Sequence, residues 1–278
     1  MNPSRAKHGG PDSRAPTRAG STGIGSRSAW LEAARARLNE IASSRRVFDL
    51  GASTYDQMTK QIHWRDQVRR VIPYFASSGR LGAGLRVLDL GCGPGVSTYA
   101  LAEALPVDTK LFGVDLAPGM IARTRLHPLA ADARYANVRF LLADATALPF
   151  ADGAFDVVVG HSLLYLVPDR PRVLAEARRV AAPGGTLALL EPSAAGSLRA
   201  AALSSLARVG ELVRRPLPTA RFVASMVAWR AFSSVKGRLS APQAEALLRE
   251  AGFEECACFS TLAGLGMHCV GHVRATHR

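Results

Sequence analysis

Cysteine is scarce in this chain: four thiols, Cys92, Cys256, Cys258 and Cys269, among 278 residues. Their number and spacing exclude a disulfide framework, and no Cys-x-x-Cys pair marks a zinc site. Aromatic residues make up only 6% of the chain. No apolar run approaches the roughly 18 residues that a membrane span requires. The N-terminus carries no apolar stretch of the signal-peptide kind. These absences lead us to expect a cytoplasmic protein with reduced thiols. What is present is a large apolar fraction, 48%, which excludes wholesale disorder. The length suits one large domain or two small ones.

Acid is in deficit, with 22 Asp and Glu against 35 Lys and Arg, a formal charge of +13. A surplus of that size first suggests nucleic acid as a partner. Its placement argues otherwise. Residues 1–46 carry nine basic and three acidic side chains, and residues 196–240 carry eight and one. The rest of the chain balances at 18 of each. The charge belongs to a tail and to one internal segment.

Residues 1–28, rich in Gly, Pro, Ser and Arg, read as a disordered basic tail. Residues 29–84 read as an N-terminal helical cap, with helices over 29–46 and 55–76, the second ending near Pro73. From residue 85 to 278 strand and helix signals alternate. Strands are expected at 86–90, 111–114, 138–142, 155–160, 186–190, 253–259 and 267–274. Helices are expected at 96–105, 118–126 and 169–180, with another from a Ser240–Gln243 capping box to Gly252. Such alternation implies a mostly parallel α/β sheet with helices on both faces. Residues 196–240 form a helical insert. Leu198, Leu203, Leu206 and Val209 recur near the helical period, as do Phe222, Val223, Met226, Trp229 and Phe232.

The strongest site signal is Val87-Leu-Asp-Leu-Gly91-Cys-Gly93-Pro-Gly95. An apolar strand runs into a turn with glycines at alternate positions and then into a helix. Glycine lets backbone approach a ligand closely, and in open parallel sheets ligands bind beyond the carboxyl ends of strands. Asp89 sits in that apolar strand, so its carboxylate needs a cationic or hydrogen-bonding partner. A dehydrogenase fingerprint would place a third glycine where this chain has Val96, which counts against a nicotinamide cofactor.

The loop instead resembles the first motif of class I S-adenosylmethionine (SAM)-dependent methyltransferases. Asp115 closes the second strand 24 residues after Gly91, and Asp144 follows the third strand in Ala143-Asp-Ala-Thr-Ala-Leu-Pro-Phe150. Phe155–Gly160 and Leu174-Ala-Glu-Ala-Arg-Arg-Val-Ala-Ala-Pro-Gly-Gly185 continue the resemblance. Val47-Phe-Asp49 through Tyr55-Asp56, Ala246-Leu-Leu-Arg-Glu-Ala-Gly-Phe253 and the insert before it are similar to the ubiquinone/menaquinone-biosynthesis C-methyltransferase branch. That branch has an Arg-Asn pair where this chain reads Leu164-Tyr165, so the resemblance carries the cofactor and reaction type but not the quinone.

The resemblance implies a Rossmann-like fold with a mostly parallel seven-stranded sheet and a helical lid at 196–240. It implies SAM as cofactor, contacted by Tyr55, Asp89, Gly91, Cys92, Gly93, Gly95, Asp115, Leu116, Met120, Asp144, Ala145 and His161. Asp115 would take the ribose hydroxyls, or else cap the next helix; Asp144 would face the adenine. His161 is either a base for the acceptor or a packed strand-end residue. Tyr165, Phe222, Met226 and Trp229 are candidates for the acceptor pocket, and no metal is expected. The expected reaction is methyl transfer to a small hydrophobic molecule such as a quinol, phenol or polyketide-like metabolite. Nucleic-acid methylation would favour an Asn/Asp-Pro-Pro-aromatic string after the fourth strand, where this chain reads His161-Ser-Leu-Leu. A non-catalytic SAM-binding protein is the other alternative. Membrane contact through the basic insert is not expected.

Overall fold

The computed structural model describes residues 62–76, 82, 84–197 and 216–275. The expected tail, the 29–46 helix, Tyr55 and the first half of the insert lie outside the described residues. Seven strands form one sheet: β1 (Arg86–Leu90), β2 (Lys110–Asp115), β3 (Val138–Leu142), β4 (Phe155–His161), β5 (Ala181–Pro192), β6 (Glu254–Thr261) and β7 (Gly266–His272). Their order is β3-β2-β1-β4-β5-β7-β6. The five central and left-hand strands pair in parallel, and β7 runs antiparallel to both its neighbours. The chain moves outward from β1 to β3, then returns to the other side of β1 as β4. That reversal opens a crevice between the carboxyl ends of β1 and β4, where ligands of open α/β sheets sit.

Side-chain alternation assigns the two faces. Val87, Val157, Val159, Ala188 and Leu190 face helices α1 (Ile62–Arg69), α2 (Ile72–Ala76) and α3 (Val96–Ala102). The long helix α6 (Pro216–Lys236) adds Met226 and Trp229 to the same cluster. Leu88, Leu90, Val158, Leu187 and Leu189 pack on the opposite side with α5 (Arg170–Val180) and α7 (Ala241–Glu250). All seven residues of β4 are buried, as the near-continuous apolar run FDVVVG demands of a central parallel strand. A short α4 (Pro118–Thr124) follows β2 with proline in its first turn.

Two expected elements differ. The helix placed over 55–76 breaks after Arg69, and Pro73 stands in the first turn of α2 instead of ending the helix. Proline lacks the N–H that would bond back to Arg69, so it starts a new helix more readily than it continues one. Strand β5 begins five residues early, at Ala181, with Pro183-Gly184-Gly185 bulging out of its pairing with β4. A Cβ on Gly185 would lie 2.7 Å from the Ala182 carbonyl oxygen, so only glycine fits that bulge.

The capping box at α7 forms as expected. Ser240 Oγ accepts from the Gln243 N–H, and Gln243 Oε1 accepts from the Ser240 N–H at 2.9 Å. We expect Ser240→Ala to cost about 1 kcal/mol. In a chain of this size that lowers Tm by roughly 2–4 °C, which a thermal melt checks.

The insert is anchored where it leaves and rejoins the sheet. Ser193 and Leu239 form an isolated parallel bridge, and Ala194 N–H donates to the Leu239 carbonyl. Arg230 is buried, and its guanidinium donates to the carbonyls of Ser193 and Gly196. At least this arginine of the basic segment therefore holds backbone and does not face solvent. Among the described residues no helix is long and apolar enough to cross a membrane.

Candidate active site

The turn after β1 is held by backbone geometry that side chains disfavour. Gly91, Gly93 and Gly95 have φ of 66°, 54° and 87°. A Cβ on Gly91 would come within 2.9 Å of Leu163 Cδ1, and one on Gly95 within 3.0 Å of Phe140 Cζ. Both steric room and handedness therefore require glycine here. Gly95 is also the residue that begins α3.

Asp89 finds its partners on that helix. Ser97 Oγ and Thr98 Oγ1 donate to its Oδ2 at 2.6 and 2.7 Å. Its Oδ1 is fully buried and has no hydrogen-bond partner. It lies 3.6 Å from Nδ1 of His161, the last residue of β4. Both nitrogens of that imidazole are likewise buried without a hydrogen-bond partner. A buried carboxylate oxygen and two imidazole nitrogens left unpaired at the mouth of the crevice mark where a polar ligand belongs.

Asp115 ends β2 and grips the glycine turn. Its Oδ2 accepts from Gly93 N–H and its Oδ1 from Ala117 N–H, each at 2.9 Å. The first residue ahead of α4 is Ala117, so Asp115 is not itself the helix cap. Cys92 lies between the two acids with its thiol buried; burial first, then the charges of Asp115 and Asp89, push its pKa well up. A thiol held protonated in this way is a poor nucleophile. Asp144 accepts from the N–H and hydroxyl of Thr146, both at 2.8 Å, in a tight turn after β3. Ala143 N–H donates to the Asp115 carbonyl, which brings the ends of β2 and β3 together. Leu116 and Ala145 are half-buried beside these acids, and Met120 is buried on α4.

The exit of β4 is organised by a residue that the sequence did not single out. Glu191 of β5 is 1% exposed, and its carboxylate accepts from the N–H groups of Leu163, Leu164 and Tyr165 at 2.9, 2.8 and 3.4 Å. Burial pushes its pKa up to about 7 against the opposing effect of those N–H groups and of Arg170. The available signal was an acid at the end of the otherwise apolar Ala188-Leu-Leu-Glu191. Ser162, just before the held turn, is a non-glycine residue with φ of 61°. Its Oγ accepts from Trp229 Nε1 at 3.0 Å, which joins α6 to the β4 exit.

Of the acceptor-pocket candidates, Trp229, Met226 and Tyr165 are buried, and Trp229 and Tyr165 make their contacts at this exit. Trp229 meets Trp64 edge-on at 6.0 Å between centroids. Phe222 lies on α6, with its side chain outside the described set. Among the described residues no group of three or more His, Cys, Asp or Glu could hold a metal ion.

Strand order, the glycine turn and the acids at the ends of β1, β2 and β3 define a Rossmann-like class I methyltransferase fold. A family model described as a methyltransferase domain matches residues 81–231, more than half of the chain, and the chain belongs to that family. A demethylmenaquinone methyltransferase of Thermus thermophilus is 45% identical over 106 residues, 38% of this chain and 46% of that protein. A 27-O-demethylrifamycin SV methyltransferase of Amycolatopsis mediterranei is 35% identical over 173 residues, 57% of this chain and 61% of that protein. An arsenite methyltransferase of Halobacterium salinarum is 36% identical over 109 residues, 39% of this chain and 27% of that protein. In these comparisons the chain spans between about a quarter and three-fifths of the relative's length. Magnesium protoporphyrin IX methyltransferase from Synechocystis PCC 6803, solved with bound SAM, shares the fold. Its TM-score is 0.57, at 17% identity over 84% of this chain and 97% of that one. The resemblance to the quinone-biosynthesis branch read from the motifs is matched by these relatives.

The residues present fit SAM. The buried Asp89 oxygen without a hydrogen-bond partner suits the cationic amino-acid end of that cofactor.

Proposed function

We propose that this protein is a SAM-dependent methyltransferase acting on a small hydrophobic acceptor bearing a hydroxyl group, of the phenol, quinol or polyketide type. The observation that carries the reading is the buried pair of Asp89 Oδ1 and His161, both lacking hydrogen-bond partners beside the glycine turn. When bound, SAM supplies an already activated sulfonium methyl group. The chain's own work is then to bind, align and manage a proton. Asp89 and the glycine turn hold the amino-acid end. Asp115 holds the ribose hydroxyls, while Leu116, Met120, Asp144 and Ala145 flank the adenine and Cys92 lines the cofactor side of the turn; Tyr55, outside the described residues, is assigned to the cofactor from the sequence alone. His161 receives the proton of the acceptor hydroxyl. Tyr165 at the β4 exit and, from the insert 196–240 itself, Phe222, Met226 and Trp229 shape the acceptor pocket.

Two readouts test this reading. Isothermal calorimetry of the full chain should give micromolar binding of SAM and of its demethylated product. Incubation with methyl-labelled SAM and a panel of phenols and quinols should give labelled product. A folded protein that binds no SAM at millimolar concentration overturns the reading; one that binds but labels nothing in the panel leaves a cofactor-binding protein instead.

A further inference from the structure

His161 has a counterpart that the reaction so far does not use. Leu190 of β5 pairs with His161 of β4 on one side and with His268 of β7 on the other. Directly opposed residues of paired strands share a face, so the two imidazoles stand on the same face at the same height, two strand spacings apart with Leu190 between them. They are 5% and 4% exposed. The Nε2 of His268, like both nitrogens of His161, is buried with no hydrogen-bond partner. Asp89 Oδ1 lies one residue pair lower on the same face.

The other side of the His268 ring is fixed. Tyr74 OH lies 3.4 Å from its Nδ1, the Tyr74 ring meets the imidazole edge-on at 5.7 Å, and Tyr74 stacks on Phe259 at 5.4 Å. Burial, with smaller effects from His161 and Arg70, lowers the His268 pKa to about 4, so the ring is neutral at physiological pH. Either partner of the Tyr74–Nδ1 contact can donate; in the tautomer taken for this proposal the tyrosine hydroxyl donates, and the proton of the neutral ring is then on Nε2. In that tautomer the face offers a proton acceptor at His161 and, two strands away, an N–H donor. A neutral imidazole buried with an unused donor costs stability, and a ligand oxygen would relieve that cost.

We propose that His268 is a specificity-determining residue of the acceptor site, and that the acceptor is a hydroxyarene carrying a second oxygen, which accepts a hydrogen bond from His268 Nε2–H. The proposal rests on the methyltransferase reading above. The first oxygen forms its new bond to the methyl carbon as the carbon–sulfur bond of SAM breaks, the electron pair going to sulfur. The proton of that hydroxyl passes to His161 and then to water. Tyr74 acts through His268 as a positioning residue.

The test compares the wild-type chain with His268→Leu, His268→Gln and Tyr74→Phe. The acceptors are 1,2- and 1,4-dihydroxynaphthalene against 1-naphthol, followed by kcat and KM, with acceptor binding measured by calorimetry. The wild type should favour at least one diol over the naphthol by about tenfold, mostly in KM and in Kd. His268→Leu should bring that ratio to about one, with the loss falling mainly on the diol. It should also melt at or above the wild-type temperature without ligand, because an unpartnered polar ring has been replaced by an apolar side chain. Should the leucine variant fail to fold, His268→Gln, which restores an N–H donor, should keep the preference, and Tyr74→Phe should weaken it. A wild type that binds SAM but shows no diol preference overturns the proposal. So does a leucine variant that keeps the preference, or one that loses stability with the ratio intact. A wild type that binds no SAM overturns the methyltransferase reading, and this one with it.

A second observation stands apart from the acceptor site. Cys258 of β6 and Cys269 of β7 are paired directly across the sheet, and their Sγ atoms lie 2.9 Å apart with both thiols free. Opposed residues of antiparallel strands have Cα atoms about 4.5–5.5 Å apart, within the range a disulfide bridges. We infer that exchange with a low-molecular-weight disulfide links the pair. The half-buried Cys258 attacks the reagent and releases one thiol. The buried Cys269 then displaces the second thiol and closes the internal bond. Incubation with oxidised glutathione should remove two hydrogens from the full chain and yield a peptide joining Cys258 and Cys269, with a higher Tm that dithiothreitol reverses. Cys258→Ser should abolish the link. A persistent glutathione adduct on Cys258, or no change in mass, overturns the inference.

Discussion

Asp115→Ala should raise the Kd for SAM by a hundredfold or more while the protein stays folded. The aspartate has two jobs in one place. Its carboxylate accepts from Gly93 N–H and Ala117 N–H, and so fixes the glycine turn against the end of β2. A carboxylate accepts several hydrogen bonds at once, and the paired hydroxyls of a ribose suit an acid at this strand end. Hydrogen bonds to a charged group are worth about 1.5–3 kcal/mol each, and two of them exceed the 2.8 kcal/mol that a hundredfold represents. The core is untouched, because Asp115 is only half-buried at a strand end. Asp115→Asn keeps one acceptor oxygen and turns the other into a donor, so its affinity should fall between the two. Calorimetry of the three proteins at one ionic strength measures the series. Wild-type affinity in the alanine variant would remove Asp115 from the ribose site.

The glycine turn was legible because all its determinants are local. Val87 through Gly95 specify a buried strand, a positive-φ turn and a helix start within nine residues. The partners of Asp89 were within reach of the same reasoning: Ser97 and Thr98 are hydroxyls in the first turn of the helix that the loop feeds. Five strand positions from β1 to β5 could be read from apolar runs between turn residues. Glu191 and His268 could not be read as site residues. One meets Leu163, 28 residues away, and the other meets Tyr74, 194 residues away, only once the strand order is known. The same is true of Trp229 and Ser162, whose contact depends on where the insert helix folds back. Pro73 misled for a different reason: the same residue can close one helix or open the next, and the choice depends on packing beneath it.

Glu191 should prove costly to remove. Glu191→Ala leaves three buried backbone N–H groups, those of Leu163, Leu164 and Tyr165, without an acceptor. Each such orphan costs about 1–3 kcal/mol, and the 3.4 Å bond to Tyr165 is the weakest of the three, so the loss should be about 3–5 kcal/mol. The carboxyl also imposes a pH dependence whose sign can be worked out. Its proton is held to about pH 7 in the folded chain against an ordinary value of 4.5. Between those values the folded state keeps a proton that the unfolded state has released, so stability falls as pH rises, by about 3 kcal/mol across the window. The benefit is complete below pH 4.5 and gone above pH 7. Glu191→Gln resembles the protonated acid and does not titrate. It should lie within about 1 kcal/mol of the wild type at pH 5 and exceed it at pH 8, while Glu191→Ala falls well below both at pH 5 and approaches the wild type at pH 8. Denaturant unfolding of the three proteins at pH 5 and pH 8 measures the difference, and the comparison cancels every other titrating group. Equal pH dependence in the wild type and the glutamine variant would mean that Glu191 is ionised throughout. A carboxylate held that way would be stabilised by its N–H donors more than burial opposes it, and the β4 exit would then be fixed by charge and not by shape.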